Sequence, residues 1–161
     1  MNEKMRVSLS ELLPIIEEQL SQGKEVCFSP KGTSMLPLLV PERDSVILKS
    51  PPEKLKKYDL PLYRRENGQF VLHRVVKIAK DGSYIMCGDA QFSRESGIKQ
   101  SQIVGIVTAF YRDGKLVKSG NILYKFYCIC RVKERQIHRL YVKLRQRGAK
   151  IKKKMTKETK K

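Results

Sequence analysis

The sequence is poor in the residues that build metal centres and membrane spans. Its two histidines, His73 and His138, stand far apart, and its four cysteines, Cys27, Cys87, Cys128 and Cys130, form no Cys-x-x-Cys pair. No metal-ligand spacing results, and no cofactor is expected. The thiols read as small, buried or half-buried side chains of a protein in a reducing compartment. No run approaches the roughly 18–20 apolar residues of a transmembrane helix. Met1 to Arg6 is polar and the apolar positions after it are periodic, so no signal peptide is expected. There is no internal repeat.

Acidic residues are scarce toward the C-terminus. Residues 112–161 hold 18 Lys/Arg against 3 Asp/Glu, whereas the first 111 residues hold 16 against 13. A near-neutral domain thus carries a strongly basic tail, which points to an anionic partner for the tail.

Ser8 to Gln22 has the pattern of a helix, with Ser8 and Glu11 as a capping box and Leu9, Leu12, Leu13, Ile16 and Leu20 on one face. Pro14 is tolerated only near a helix start, so a later start or a kink is expected there. Short runs rich in Val, Ile, Tyr and Phe follow: 25–29, 45–48, 60–63, 70–78, 84–87, 103–111 and 115–117. Turn signals separate several of them, at Glu66-Asn67-Gly68, Asp81-Gly82 and Asp113-Gly114. So many short strands without intervening helices predict a mainly β domain with a coiled, partly closed sheet. From Asn121 the spacing changes to that of an amphipathic helix. Tyr124, Phe126, Tyr127, Ile129, Leu140, Tyr141 and Leu144 form its apolar face, and Lys and Arg fill the rest. Residues 148–161 are Lys-rich with almost no apolar content and are expected to be disordered.

Three features stand out for chemistry. Lys31-Gly32-Thr33-Ser34-Met35-Leu36-Pro37 places a serine after a glycine and before an apolar step. Serine becomes a nucleophile only when a neighbouring base takes its proton. His73 lies in Phe70-Val71-Leu72-His73-Arg74-Val75-Val76, an apolar setting for an imidazole whose ordinary pKa of about 6.5 leaves it able to accept a proton at neutral pH. Gly88-Asp89 adds a carboxylate, with Glu95 a few residues on.

In that order, these segments resemble the signal peptidase clan, which includes the self-cleaving repressors. His73 followed by Arg74-Val75-Val76 is most similar to the endoplasmic-reticulum and archaeal branch, where histidine replaces lysine as the base. The resemblance covers about residues 25–112. It implies Ser34 as nucleophile, His73 as general base and Asp89 as the supporting acid, either orienting His73 or pairing with Arg74. The acidic box departs from the family's Gly-Asp-Asn followed by a second aspartate, so either Asp89 is the sole acid or Glu95 takes the missing place. It further implies Gly32, Thr33, Met35 and Pro37 around the substrate and oxyanion positions.

The expected organisation is a helix over 1–24, a peptidase domain with a coiled antiparallel sheet over 25–120, a basic amphipathic helix over 121–147, and a tail over 148–161. The function implied is a serine endopeptidase removing leader or signal segments from precursor peptides or exported proteins, in the cytoplasm or peripheral to the cytoplasmic membrane. Residues 121–161 suit an anionic membrane surface. Nucleic acid fits them less well, because residues 1–24 are too short for the helix-turn-helix of the repressors. The alternative is a non-catalytic relative that binds extended peptides or nucleic acid.

Overall fold

The computed structural model describes residues 9–134 and 137, with side chains from Pro14 onward. Ser8 and Glu11 of the capping box, His138 and the tail over 148–161 therefore lie outside the side chains described. The chain divides into two compact units, Met1–Lys125 and Phe126–Lys161.

Helix α1, Leu9–Ser21, runs through Pro14 without a later start. Ile16 and Leu20 are its buried positions. Gly23, at φ 73°, ends it: Gly23 N–H donates to the Leu20 carbonyl (2.9 Å) and Lys24 N–H to that of Gln19 (3.0 Å). This paired closure needs a left-handed residue, which glycine adopts without strain.

The strands form two antiparallel sheets. In the larger, β1 (Val26–Phe28), β2 (Ser45–Lys49), β3 (Pro61–Arg64), β4 (Phe70–Leu72) and β8 (Ile103–Arg112) lie in the order β1-β2-β8-β3-β4, and β9 (Lys115–Lys118) also pairs with β8. The smaller is β5 (Arg74–Ile78), β6 (Tyr84–Cys87) and β7 (Glu95–Ile98). Asp113 (φ 50°) and Gly114 (φ 74°) turn β8 into β9 with the two positive φ values of a tight hairpin. Gly105 lets α1 approach the sheet, since a Cβ there would stand 3.0 Å from the Lys49 carbonyl and 3.1 Å from Leu20 Cδ1. The core fills the space between the sheets with Tyr63 and Ile103 from the larger, Val75, Tyr84, Met86 and Ile98 from the smaller, and Leu55 from the preceding loop. The Tyr84 hydroxyl is satisfied inside it by Leu55 N–H (3.0 Å) and Gln100 Oε1 (2.6 Å).

Two elements differ from expectation. The run over 70–78 is not one strand: it breaks at His73, with Leu72 pairing Leu62 in one sheet and Arg74 pairing Cys87 in the other. Strand β7 has no β-rich composition. Its pairing comes from β6, and Gly97 (φ 83°) lies where the register shifts.

A second helix, α2, covers residues 122–134. Asn121 caps it, its side-chain oxygen accepting Leu123 N–H (2.9 Å) and Tyr124 N–H (3.1 Å). The single apolar face expected here is two faces. Tyr124, Cys128 and Val132 are buried, whereas Ile122, Leu123 and Phe126 are exposed. Tyr124 meets Phe110 edge to face, ring centres 5.2 Å apart. No helix among the described residues is long and apolar enough to cross a membrane.

Asp44, fully buried, fastens the segment after Ser34 to the β8–β9 turn. Its carboxylate accepts Val40 N–H (2.8 Å), Asp113 N–H (3.0 Å) and two bonds from Arg43 (2.7 and 3.0 Å). The Arg43 guanidinium foremost, with the two backbone N–H groups, holds its pKa down from 3.8 to about 2. A depressed folded-state pKa gives stability that is present above the unfolded value and lost as pH falls through the folded one. Asp44→Asn is expected to cost about 1–3 kcal/mol in urea unfolding at pH 7. The gap from wild type should narrow below about pH 4 and close near about pH 2.

Candidate active site

His73 is the single residue between β4 and β5, at the crossing from one sheet to the other. That position fixes its ring, because the flanking residues pair with different strands. The imidazole is 2% exposed. Its Nδ1 lies 3.3 Å from the Tyr63 hydroxyl and 3.3 Å from Glu95 Oε1. Tyr63 donates its one proton to Glu95 Oε2 (2.9 Å), so its oxygen can only accept from the ring. A phenol oxygen and a carboxylate together at Nδ1 select the Nδ1–H tautomer. Nε2 is then the basic nitrogen.

Arg65 fixes Glu95 in turn. Its Nε donates to Oε2 (2.8 Å) and its terminal nitrogen donates to Oε1, while Gln69 Oε1 accepts its other arm (2.9 Å). Arg65 first, then the Tyr63 hydroxyl, holds the Glu95 pKa below the ordinary glutamate value against the effect of burial. Burial first, and then the same carboxylate, push the Tyr63 phenol up, keeping it protonated.

The basic face of the ring meets the serine turn at Gly88. A Cβ on Gly88 would lie 2.9 Å from His73 Nε2 and 2.7 Å from the Ser34 carbonyl oxygen, so both atoms lie within 3 Å of one point. Only glycine leaves that space empty. Ala90 N–H donates to the same Ser34 carbonyl (2.8 Å), strapping the Gly88-Asp89-Ala90 segment to the serine. Ser34 is half-buried at one wall of a cleft of about 230 Å³, with Met35, Leu39, Phe70, Leu72, His73 and Gln91 among its lining.

The remaining expected residues fall as follows. Gly32 (φ 96°) begins the turn and lines the cleft, while Thr33 and Pro37 are exposed and outside its lining. Within the apolar step after Ser34, Met35, Leu38 and Leu39 are buried and anchor the turn, whereas Pro37 faces water. Asp89 belongs to a different pair from the one at the imidazole. Its carboxylate takes two bonds from Arg74 (2.9 and 2.7 Å), with both side chains fully buried. Of the two arrangements open for Asp89, the pairing with Arg74 is the one present, and the carboxylate beside Nδ1 is that of Glu95. Arg74 also donates to the Tyr58 carbonyl (3.1 Å) and to the Tyr124 hydroxyl (3.0 Å).

Tyr63 and Arg65 carry no signal in the sequence beyond their place in a short strand and the turn after it. Their alignment with His73 arises from the β3–β4 register, in which Tyr63 faces Val71. Comparison of the chain with models of known families, with curated proteins and with solved structures finds no match.

The two carboxylates should separate by experiment. Glu95→Gln removes the anion beside Nδ1, so the NMR midpoint for protonation of His73 should fall. Asp89→Ala removes the carboxylate that balances the buried charge of Arg74. It should cost about 3–5 kcal/mol in unfolding free energy.

Proposed function

We propose that this chain is a serine endopeptidase of the histidine-base signal-peptidase type, with a coiled sheet of that clan's kind. In this reading it removes leader or signal segments from precursor peptides or exported proteins. The observation that carries the reading is the convergence at Gly88: the basic nitrogen of a tautomer-fixed imidazole beside the backbone of Ser34.

The chemistry follows from that arrangement. Ser34 Oγ attacks the scissile carbonyl as its proton passes to His73 Nε2. The imidazolium that forms is stabilised by Glu95, which Arg65 keeps anionic. When the tetrahedral intermediate collapses, Nε2–H gives its proton to the leaving amine, and a water deprotonated by the same nitrogen then releases the acyl group from Ser34. Asp89 acts at one remove, as a positioning residue: paired with Arg74, it fixes the chain directly after His73 and directly after Gly88.

Strand β4 supports an extended substrate. Among the described residues it ends its sheet, pairing only with β3, and Phe70, Val71 and Leu72 line the cleft up to His73. A peptide added along that edge gains main-chain hydrogen bonds and carries one peptide bond past the imidazole. A cleft of about 230 Å³ suits small side chains at the cut.

The test is covalent. A fluorophosphonate probe should label Ser34, found by peptide mass spectrometry, at a rate that rises with pH and levels once His73 is neutral. Ser34→Ala should abolish labelling and His73→Ala should slow it by about 10² or more, while His138→Ala leaves it unchanged. Labelling that persists in Ser34→Ala, or is absent from the folded wild-type protein, rejects the reading in favour of a peptide-binding role.

A further inference from the structure

Helix α2 carries an exposed apolar face among the described residues. At 100° per residue, Ile122, Phe126, Cys130 and Leu123 fall within an arc of about 100°, opposite the buried arc of Tyr124, Cys128 and Val132. The side chains of Ile122, Leu123 and Phe126 are 80%, 75% and 66% exposed, and Ile137, also helical, is 69% exposed. Three large apolar residues bared within two turns are more than scattered surface hydrophobes. In the sequence, Leu140, Tyr141 and Leu144 repeat the same spacing.

Charge decides what this face meets. From residue 121 to the end the sequence holds 15 Lys/Arg and 2 Asp/Glu. Lys125 lies outside the apolar arc, and Lys133, within it, is long enough to lift its ammonium to the rim. A cationic partner, or a second copy of the same basic segment, would bring like charges together. Nucleic acid would use the cations and leave Ile122, Leu123 and Phe126 in water. A bilayer surface rich in anionic lipid takes both, the apolar face entering the headgroup and acyl boundary while the cations meet phosphates.

We infer that α2 docks the protein onto an anionic membrane surface through Ile122, Leu123 and Phe126. The helix lies in the interface plane without crossing it. The inference does not depend on peptidase activity.

The full chain should co-sediment with vesicles of phosphatidylglycerol and phosphatidylcholine and much less with phosphatidylcholine alone, and about 0.5 M salt should weaken the binding. The triple change Ile122→Ser, Leu123→Ser and Phe126→Ser keeps the charge and should weaken it at least about ten-fold. A dye on Cys130, in a Cys27→Ala background, should shift to the blue on anionic vesicles, which tests the same face with the helix otherwise intact. Unchanged vesicle binding in the triple variant, with no dye shift, would mean that the cations act alone and overturns the inference. So does a wild-type dimer that the triple variant dissolves while vesicles capture neither. Binding to duplex DNA in preference to anionic vesicles would assign the tail to nucleic acid instead.

Discussion

The buried pair of Arg74 and Asp89 is the constraint on which the rest of the site depends. Both side chains are wholly out of water. Two desolvated charges are costly unless the geometry is good and the remaining donors are used. Here the contact is two-pronged, and Tyr58 and Tyr124 accept further bonds from the guanidinium. Arg74 follows His73 and Asp89 follows Gly88. Pairing them therefore sets the imidazole against the glycine, and Ala90 N–H carries the alignment on to the Ser34 carbonyl. One ion pair thus aligns three segments that are far apart in the chain.

A second, more exposed pair has a different task. Glu95 and Arg65 sit at the other side of the imidazole, where Tyr63 completes the arrangement. The interior pair fixes where the ring is, and this outer pair fixes which of its nitrogens carries the proton. Dividing the roles between two carboxylates suits the chemistry. Each carboxylate takes two bonds from an arginine, but Asp89 is wholly buried with Arg74, whereas the half-exposed Glu95 also meets the Tyr63 phenol and the imidazole and so senses a change of charge on the ring.

Much of this was legible in the sequence because it depends on local pattern. Alternation and turn signals placed most strands and the change of period near Asn121 placed the second helix, whereas Ser34, His73 and Asp89 stood out through their ordered resemblance to the signal peptidase clan. What was not legible depends on register. Phe70 to Ile78 reads as one strand because alternation continues through His73, yet its halves belong to different sheets. Glu95 lies in a stretch without β-rich composition, and only its pairing with Met86 on β6 carries it to the imidazole. Tyr124 and Phe126 share an apolar spacing with opposite surroundings, because periodicity finds apolar residues without saying which of two faces has a partner.

The central claim is that Nδ1 of His73 carries the proton and Nε2 is the base. Long-range ¹⁵N–¹H correlation spectra of the ring, recorded above its protonation midpoint in a His138→Gln background, read the tautomer directly. The account predicts a protonated, pyrrole-type Nδ1 and a bare, pyridine-type Nε2. A proton found on Nε2 would contradict it, since the nitrogen beside the Ser34 turn could then accept nothing from the serine.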